Sequence, residues 1–124
     1  IMLLQIDDTQ TIGQLQEAFS GTFPQLKLAF CRTTHQWEEL TDDSQFIPST
    51  HRIGAIRKKH DTGSIEIKRS HRVGDVEKKF EGRFGLNVQI LFRGRRKWIQ
   101  TGVSDNLTIE ELVRQVAPSV RPML

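Results

Sequence analysis

The 124 residues include 36% hydrophobic and 27% charged side chains and carry a formal net charge of +3, a composition that excludes a disordered chain and is typical of a globular protein. The longest apolar runs are a few residues long, far short of the roughly 20 residues that cross a bilayer, so we expect no membrane association. The single cysteine, Cys31, excludes an internal disulfide and favours a reducing compartment, which makes the cytoplasm the expected location. The chain begins at Ile1, inside a predicted strand, which indicates a piece of a longer protein.

The first half of the chain predicts a strand, a helix and a second strand. The first strand contains Leu4 and Ile6. Apolar residues then recur at spacings of three, four and four, which places them on one face of a helix: Ile12, Leu15, Phe19 and Phe23. Thr11 and Gln14 form a capping box before this helix, and Pro24 ends it. A two-residue period returns in the strand that follows, at Leu26, Leu28 and Phe30.

The second half repeats these elements at an offset of 61 residues in its first strand and helix. The matched apolar positions are Ile65 and Ile67, followed by Val73, Val76, Phe80 and Phe84. After one inserted residue the next strand is matched by Val88, Ile90 and Phe92, and a hairpin returns through Trp98, the counterpart of Trp37. A capping box at Thr108 and Glu111 opens a last helix, in which Ile109 and Leu112 match Ile53 and Ile56.

The repeat predicts an α+β fold made of two tandem β-α-β-β-α units, residues 1–62 and 63–124. A unit of about 60 residues buries only about 60% of its unfolded surface and is marginal alone. We therefore expect the two units to contact each other.

The order of elements from Arg72 to Leu112 resembles the ubiquitin-like β-grasp, although one strand, and not a hairpin, precedes each helix. The chain also resembles a group of uncharacterised bacterial proteins with tandem repeats that carry the pattern of Val73-Gly74, Val76, Phe80 and Phe84-Gly85-Leu86. Both resemblances imply an architecture and no activity. A ferredoxin-like β-α-β-β-α-β unit from Leu4 to Ile67 is the alternative, with Ile65 and Ile67 closing the first sheet.

The residues that usually carry chemistry do not form a recognisable site. None of the four histidines, at positions 35, 51, 60 and 71, has the spacing of a metal-binding motif. Cys31 lacks a histidine motif around it, and adjacent acidic residues such as Asp7 and Asp8 point in different directions on a strand or helix. The chain also lacks the phosphate-binding and nucleophile motifs of known enzyme classes. We therefore expect no catalytic residues, no metal, no cofactor, no small-molecule substrate and no enzymatic activity.

Charge is the feature that points to a binding function. Residues 1–62 carry six Lys and Arg against eight Asp and Glu, a net charge of −2, whereas residues 63–124 carry twelve against seven, a net charge of +5. The excess is concentrated in a predicted hairpin tip whose candidate binding residues are Arg93, Arg95, Arg96 and Lys97. Two hypotheses follow: a protein-interaction module that binds a protein partner or itself through strand edges or hairpin tips, and a module that binds nucleic acid or another polyanion through residues 93–97.

Overall fold

A computed structural model describes residues 2–32, 46–93, 98–100 and 106–119. The predicted α+β class is confirmed, with three helices and two antiparallel sheets in the described residues. The elements in chain order are β1 (Met2–Ile6), α1 (Ile12–Thr22), β2 (Leu26–Phe30), β3 (Gly63–Ile67), α2 (Val73–Phe84), β4 (Val88–Arg93), β5 (Trp98–Gln100) and α3 (Ile109–Ser119). Within these ranges, no helix has the length and apolar character that crossing a membrane requires.

The ends of the first two helices follow from their sequences. At α1, the hydroxyl of Thr11 accepts a hydrogen bond from the backbone N–H of Gln14 at 3.2 Å, and the Gln14 side chain accepts one from the Thr11 N–H at 2.8 Å. This is the predicted capping box, which pairs two amides that a helix start otherwise leaves open. At α2, Gly85 ends the helix with a φ of 65°, a left-handed conformation that glycine adopts without a Cβ clash.

The strands pair across the two halves of the sequence. β1 is antiparallel to β3 with Leu4 opposite Ile65, and β2 is antiparallel to β4 with Leu28 opposite Ile90. Each of these pairs joins residues that the repeat alignment matches to each other, so both pairings have an approximate two-fold centre. β5 adds to β4, which gives a second sheet in the order β2-β4-β5.

Because the strands pair across the two halves, the halves share one hydrophobic core. Side chains from both halves belong to a single buried cluster. At its centre are the four phenylalanines of the helical stripes, Phe19, Phe23, Phe80 and Phe84, each at most 1% exposed. Their predicted burial is confirmed.

The repeat extends to the end of each half, where matched residues form the same backbone hydrogen bond. Ile53 N–H donates to the Gln10 carbonyl at 2.8 Å, and its counterpart Ile109 donates to the His71 carbonyl at 2.9 Å. The halves then differ, because the first has only a 3₁₀ turn at Ile53–Ala55 where the second has α3. The first half has Gly54 in this position, which disfavours helix by about 1 kcal/mol relative to alanine, and it lacks the capping box that opens α3.

The pairing of strands across the two halves also bears on the ferredoxin-like alternative and on the predicted boundary between the units. The antiparallel pairing of Leu4 with Ile65 is the contact that a ferredoxin-like sheet requires. In the described part of the chain, however, β2 pairs with β4 of the second half, which that alternative does not include. The boundary between residues 62 and 63 stays a prediction, because both sheets contain strands from either side of it.

Arg57, in the connection between the halves, is held by both of them. Its guanidinium donates two hydrogen bonds to Asp8 Oδ1, at 2.9 and 2.6 Å, and one to the Phe84 carbonyl at 3.0 Å. The Arg57 side chain is fully buried, and its hydrogen bond is the main cause that lowers the pKa of the Asp8 carboxyl. His60 Nδ1 lies 2.8 Å from the second Asp8 oxygen. The connection is therefore fixed to the turn after β1 and to the end of α2.

The pairing of strands between the two halves predicts how the isolated second half behaves. Residues 63–124 alone lose β1 and β2, the first-half partners of β3 and β4. We therefore expect either a lower melting temperature than that of the whole chain or a dimer in which β3 and β4 pair with their own copies. Sedimentation equilibrium and thermal melting at several concentrations measure both. A monomeric half with the melting temperature of the whole chain would show that the first half does not support it.

Candidate functional site

The predicted basic hairpin begins where the structure places Arg93. This residue ends β4, is exposed, and lies directly opposite Trp98 of β5. Its backbone N–H donates to the Gln25 carbonyl at 2.9 Å, which anchors the base of the hairpin to the chain before β2. The pairing of β4 with β5 confirms the predicted hairpin. The other three predicted binding residues, Arg95, Arg96 and Lys97, lie outside the described residues.

Trp98 has a different environment from the one that the sequence predicts. Its alignment with Trp37 predicts a packing residue, but Trp98 is 37% exposed. Trp37 lies outside the described residues. Directly opposite residues of an antiparallel pair project to the same face. The indole of Trp98 and the guanidinium of Arg93 are therefore exposed on one face of the sheet.

A groove of about 290 Å³ lies on that same face. Alternation along β2 and β4 places Lys27, Ala29 and Leu91 on the side of Arg93 and Trp98, and we call these five residues the groove face. Ala29 and Leu91 line the groove and are 5% and 7% exposed. Lys27 lines it too, and both polar and apolar residues complete the lining: Gln16, Phe30, Phe46, Ile47, Pro48 and Ser49. Its volume is at the lower limit of the roughly 300–1,000 Å³ of small-molecule pockets, which suits one large side chain better than a cofactor.

Two positively charged side chains, Lys27 and Arg93, lie in or beside this groove. Lys27 is half-buried in its lining and Arg93 is exposed beside it. Among the described residues neither side chain forms a salt bridge, whereas several other cations do, namely Arg57 with Asp8, Lys68 with Glu66 and Arg114 with Glu110. The two charged side chains of the groove face, Lys27 and Arg93, are therefore both positive.

The outer edge of β2 is closed by hydrogen bonds. Three successive outward carbonyls of the strand accept hydrogen bonds from the Ser20 hydroxyl at 2.9 Å, the Gln16 amide at 2.9 Å and the Ile47 backbone N–H at 2.8 Å. A partner strand cannot add there without breaking them. This finding corrects, for β2, the expectation that the sheets present open edges.

The sheet of β1 and β3 has the most exposed large apolar side chain of the described chain. Leu3 is 68% exposed and lies opposite Glu66. A single exposed leucine is common on protein surfaces and indicates no site by itself.

A second concave surface, of about 550 Å³, lies at the start of α2. It is lined by Ser70, His71, Arg72, Asp75, Lys78 and Lys79. Sequence reasoning missed it because its charges are spread over a turn and a helix. The signal was present in the alignment, since Arg72, Lys78 and Lys79 stand where the first half has Thr11, Glu17 and Ala18.

His71 holds the turn that leads into this surface. Its Nδ1 accepts a hydrogen bond from the Lys68 N–H at 3.1 Å, and Gln10 accepts the same bond from Asp7 in the first half, at 2.9 Å. Burial lowers the pKa of His71, and the positive charges of Lys79 and Lys68 lower it further. The imidazole accepts at Nδ1 only when that nitrogen is unprotonated.

The pair formed by Asp8 and His60 is the arrangement closest to catalytic machinery. A carboxylate that orients a histidine is part of many hydrolytic sites. Among the described residues, however, no Ser, Thr or Cys side chain is hydrogen-bonded to His60, and Asp8 is also bound by Arg57. Nor do the described residues bring together three metal-ligating side chains.

No family model, curated protein or solved structure matches this chain.

His71 gives a pH dependence that can be measured. A folded-state pKa below the ordinary value of 6.5 means that the unfolded chain binds the proton more tightly. The stability that neutral His71 contributes is therefore present above pH 6.5 and is lost as the pH falls through the lowered pKa. In the variant His71→Gln, which has the residue of the first half, the urea midpoint should fall less between about pH 8 and about pH 5. His51→Gln is the matched control and should keep the wild-type profile; equal profiles for wild type and His71→Gln would contradict this role.

Proposed function

We propose that this chain is a non-enzymatic protein-interaction module and that the groove face is its contact surface. The observation that carries the proposal is the exposed pair of Trp98 and Arg93 on the face of the sheet that also contributes to the groove. Tryptophan and arginine are the residue types most enriched among those that dominate binding energy in protein interfaces, especially next to well-packed pockets. We place the module in the cytoplasm because its one cysteine suits a reducing compartment.

The finer architecture belongs to the same proposal. We infer two tandem β-α-β-β-α units of the β-grasp-like kind found in the bacterial repeat proteins that the sequence resembles. Support comes from the hydrogen bonds made by Ile53 and Ile109 at matched positions, and from strand pairs centred on matched residues. Each unit differs from ubiquitin because one strand, and not a hairpin, precedes its helix.

Truncation of Trp98 tests the contact surface. The immobilised whole chain selects a partner from a cell extract, and the affinity of the purified partner for each variant is then measured by calorimetry. Loss of a dominant interface tryptophan costs about 2 kcal/mol or more, so Trp98→Ala should weaken binding by about 30-fold or more. Leu3→Ala, on the other sheet, is the matched control and should bind as the wild type does. An unchanged affinity of Trp98→Ala at an unchanged melting temperature would contradict the proposal.

A second candidate function is binding of nucleic acid or another polyanion through Arg93, Arg95, Arg96 and Lys97. The observation that favours it is the exposure of Trp98 next to Arg93, because an aromatic ring beside cations can stack on a base. The net charge of +5 in residues 63–124 supports the same candidate.

The dependence of affinity on salt tests this candidate. If four cations contact phosphates of duplex DNA, the slope of log affinity against log salt should be near about −3.6, from about −0.9 per phosphate. The triple variant Arg95→Ala, Arg96→Ala, Lys97→Ala should reduce the slope to about −1 with little change in melting temperature. No shift of duplex or single-stranded probes at low salt, or equal binding by the triple variant, would exclude nucleic acid as the partner.

A further inference from the structure

The concave surface at the start of α2 is lined mainly by cations and hydrogen-bond donors. In the described part of the chain, its lining contains the cations Arg72, Lys78 and Lys79 and one carboxylate, that of Asp75. The imidazole of His71 is neutral while its Nδ1 accepts a hydrogen bond. The lining therefore has a net charge of +2, three positive charges less one negative. A ligand that brings two negative charges and several acceptor oxygens complements such a surface.

Two further carboxylates lie near this surface and are bound to groups outside its described lining. Glu66 lies 3.4 Å from the ammonium group of Lys68, which balances its charge. Glu111 accepts a hydrogen bond from the Thr108 N–H at 3.0 Å as part of the capping box of α3. The positive charge of the lining is therefore not their principal partner.

His71 contributes a donor whose position is fixed by the turn. Its Nδ1 accepts a hydrogen bond from the Lys68 N–H at 3.1 Å, so the ring proton is on Nε2 and that nitrogen donates. The matched residue Gln10 accepts the corresponding hydrogen bond and also donates its own amide N–H to the Gln5 carbonyl at 2.9 Å. Among the residues that the structure describes, His71 forms only the first of these two bonds. Its Nε2–H is therefore a donor suited to an acceptor atom of a ligand.

The residue before α2 departs from what the fold alone favours. In the first half Thr11 caps α1 through its side chain, whereas Arg72, at the matched position, makes no side-chain cap to α2. A threonine at this position stabilises a helix, so the arginine is a local cost to folding. Local costs of this kind are expected at functional sites. Lys79 likewise stands where the first half has the uncharged Ala18 on the same helical scaffold.

We propose that this surface binds a phosphate monoester, with the terminal phosphate oxygens on Arg72, Lys79 and the Nε2–H of His71. A phosphate monoester carries a charge of about −1.5 to −2 at pH 7 and three strong acceptor oxygens, which complements the lining. The planar guanidinium of Arg72 can bind two of these oxygens at once. The volume of about 550 Å³ lies within the roughly 300–1,000 Å³ of ligand pockets, so it accommodates the group that carries the phosphate. This site is separate from the groove face and does not depend on the proposed interaction function.

Inorganic phosphate is the first probe, titrated into the isotope-labelled whole chain and followed by backbone amide NMR signals. At about pH 8 it is doubly charged, because its second pKa is about 6 to 7. The amide signals of Ser70, His71 and Arg72 should shift and saturate, with a dissociation constant of about 1 mM or tighter. The signal of Lys27, in the other sheet, should stay in place. Sodium chloride at equal ionic strength is the control for screening and should not reproduce the shifts.

The variant Arg72→Thr separates binding from folding. The new threonine can cap α2 as Thr11 caps α1, so the melting temperature should stay the same or rise. Phosphate should nevertheless bind about tenfold more weakly, because a charged hydrogen-bond donor is lost. Lys79→Ala, which also introduces the residue of the first half, should weaken binding by about threefold. Lys58→Ala, at an exposed lysine of the connection between the halves, is the matched control and should bind as the wild type does.

A second pair of probes distinguishes the two sources of such a phosphate group. They are free phosphoserine and a short peptide that contains phosphoserine, each compared with its unphosphorylated form. Tighter binding of the peptide assigns a phosphorylated partner protein, and equal or tighter binding of the small ester assigns a metabolite. In either case the unphosphorylated form should not bind and Arg72→Thr should weaken binding. The proposal is overturned by an absence of saturable shifts with every phosphate probe, by equal binding of folded Arg72→Thr, or by Arg72-dependent binding of duplex DNA without binding of any monoester.

Discussion

The pairing of each strand with its counterpart in the other half is the constraint on which the rest of the structure depends. Leu4 meets Ile65 and Leu28 meets Ile90, so neither sheet is built from one half alone. A unit of about 60 residues buries too little surface to be secure, and crossing the strands lets the two halves share one core. The groove face inherits this arrangement, since Lys27 and Ala29 come from the first half and Leu91, Arg93 and Trp98 from the second.

The buried Arg57 makes the connection between the halves part of the same constraint. A guanidinium without solvent requires partners for its N–H groups, and it finds them in the Asp8 carboxylate and the Phe84 carbonyl. Removing one partner of a buried charge is costly because the other charge is left unpaired. The chain between the sheets is therefore held in one place, which keeps the turn after β1 against the end of α2.

On this common scaffold the two halves have diverged in charge more than in backbone. The turn after the first strand changes from Asp7-Asp8 to Lys68-Arg69, yet Gln10 and His71 close it with the same hydrogen bond. Side chains that face solvent can change sign at little cost to folding, because solvent screens them, whereas Asp8 is also the carboxylate partner of the buried Arg57. Solvent-facing changes of this kind explain how one half became basic while the strand pairing kept its symmetric register.

The sequence by itself determined the local elements, because a helical stripe, a two-residue period and a capping box depend on near neighbours in the chain. It therefore predicted α1, α2, β2 and β4, the burial of Phe80 and the hairpin that contains Arg93. Only the tertiary structure decided which strands pair, because periodicity identifies a buried face without identifying what covers it. The same reason explains the exposure of Trp98, which depends on what lies beside β5. It also explains why Lys27, Ala29 and Leu91 were missed, since they alternate with core residues and come together only when β2 pairs with β4. The outer edge of β2 is closed by the side chains of Gln16 and Ser20 from α1 and by the backbone N–H of Ile47. Only the tertiary structure decided this closure, because it is the fold that brings these groups to the strand.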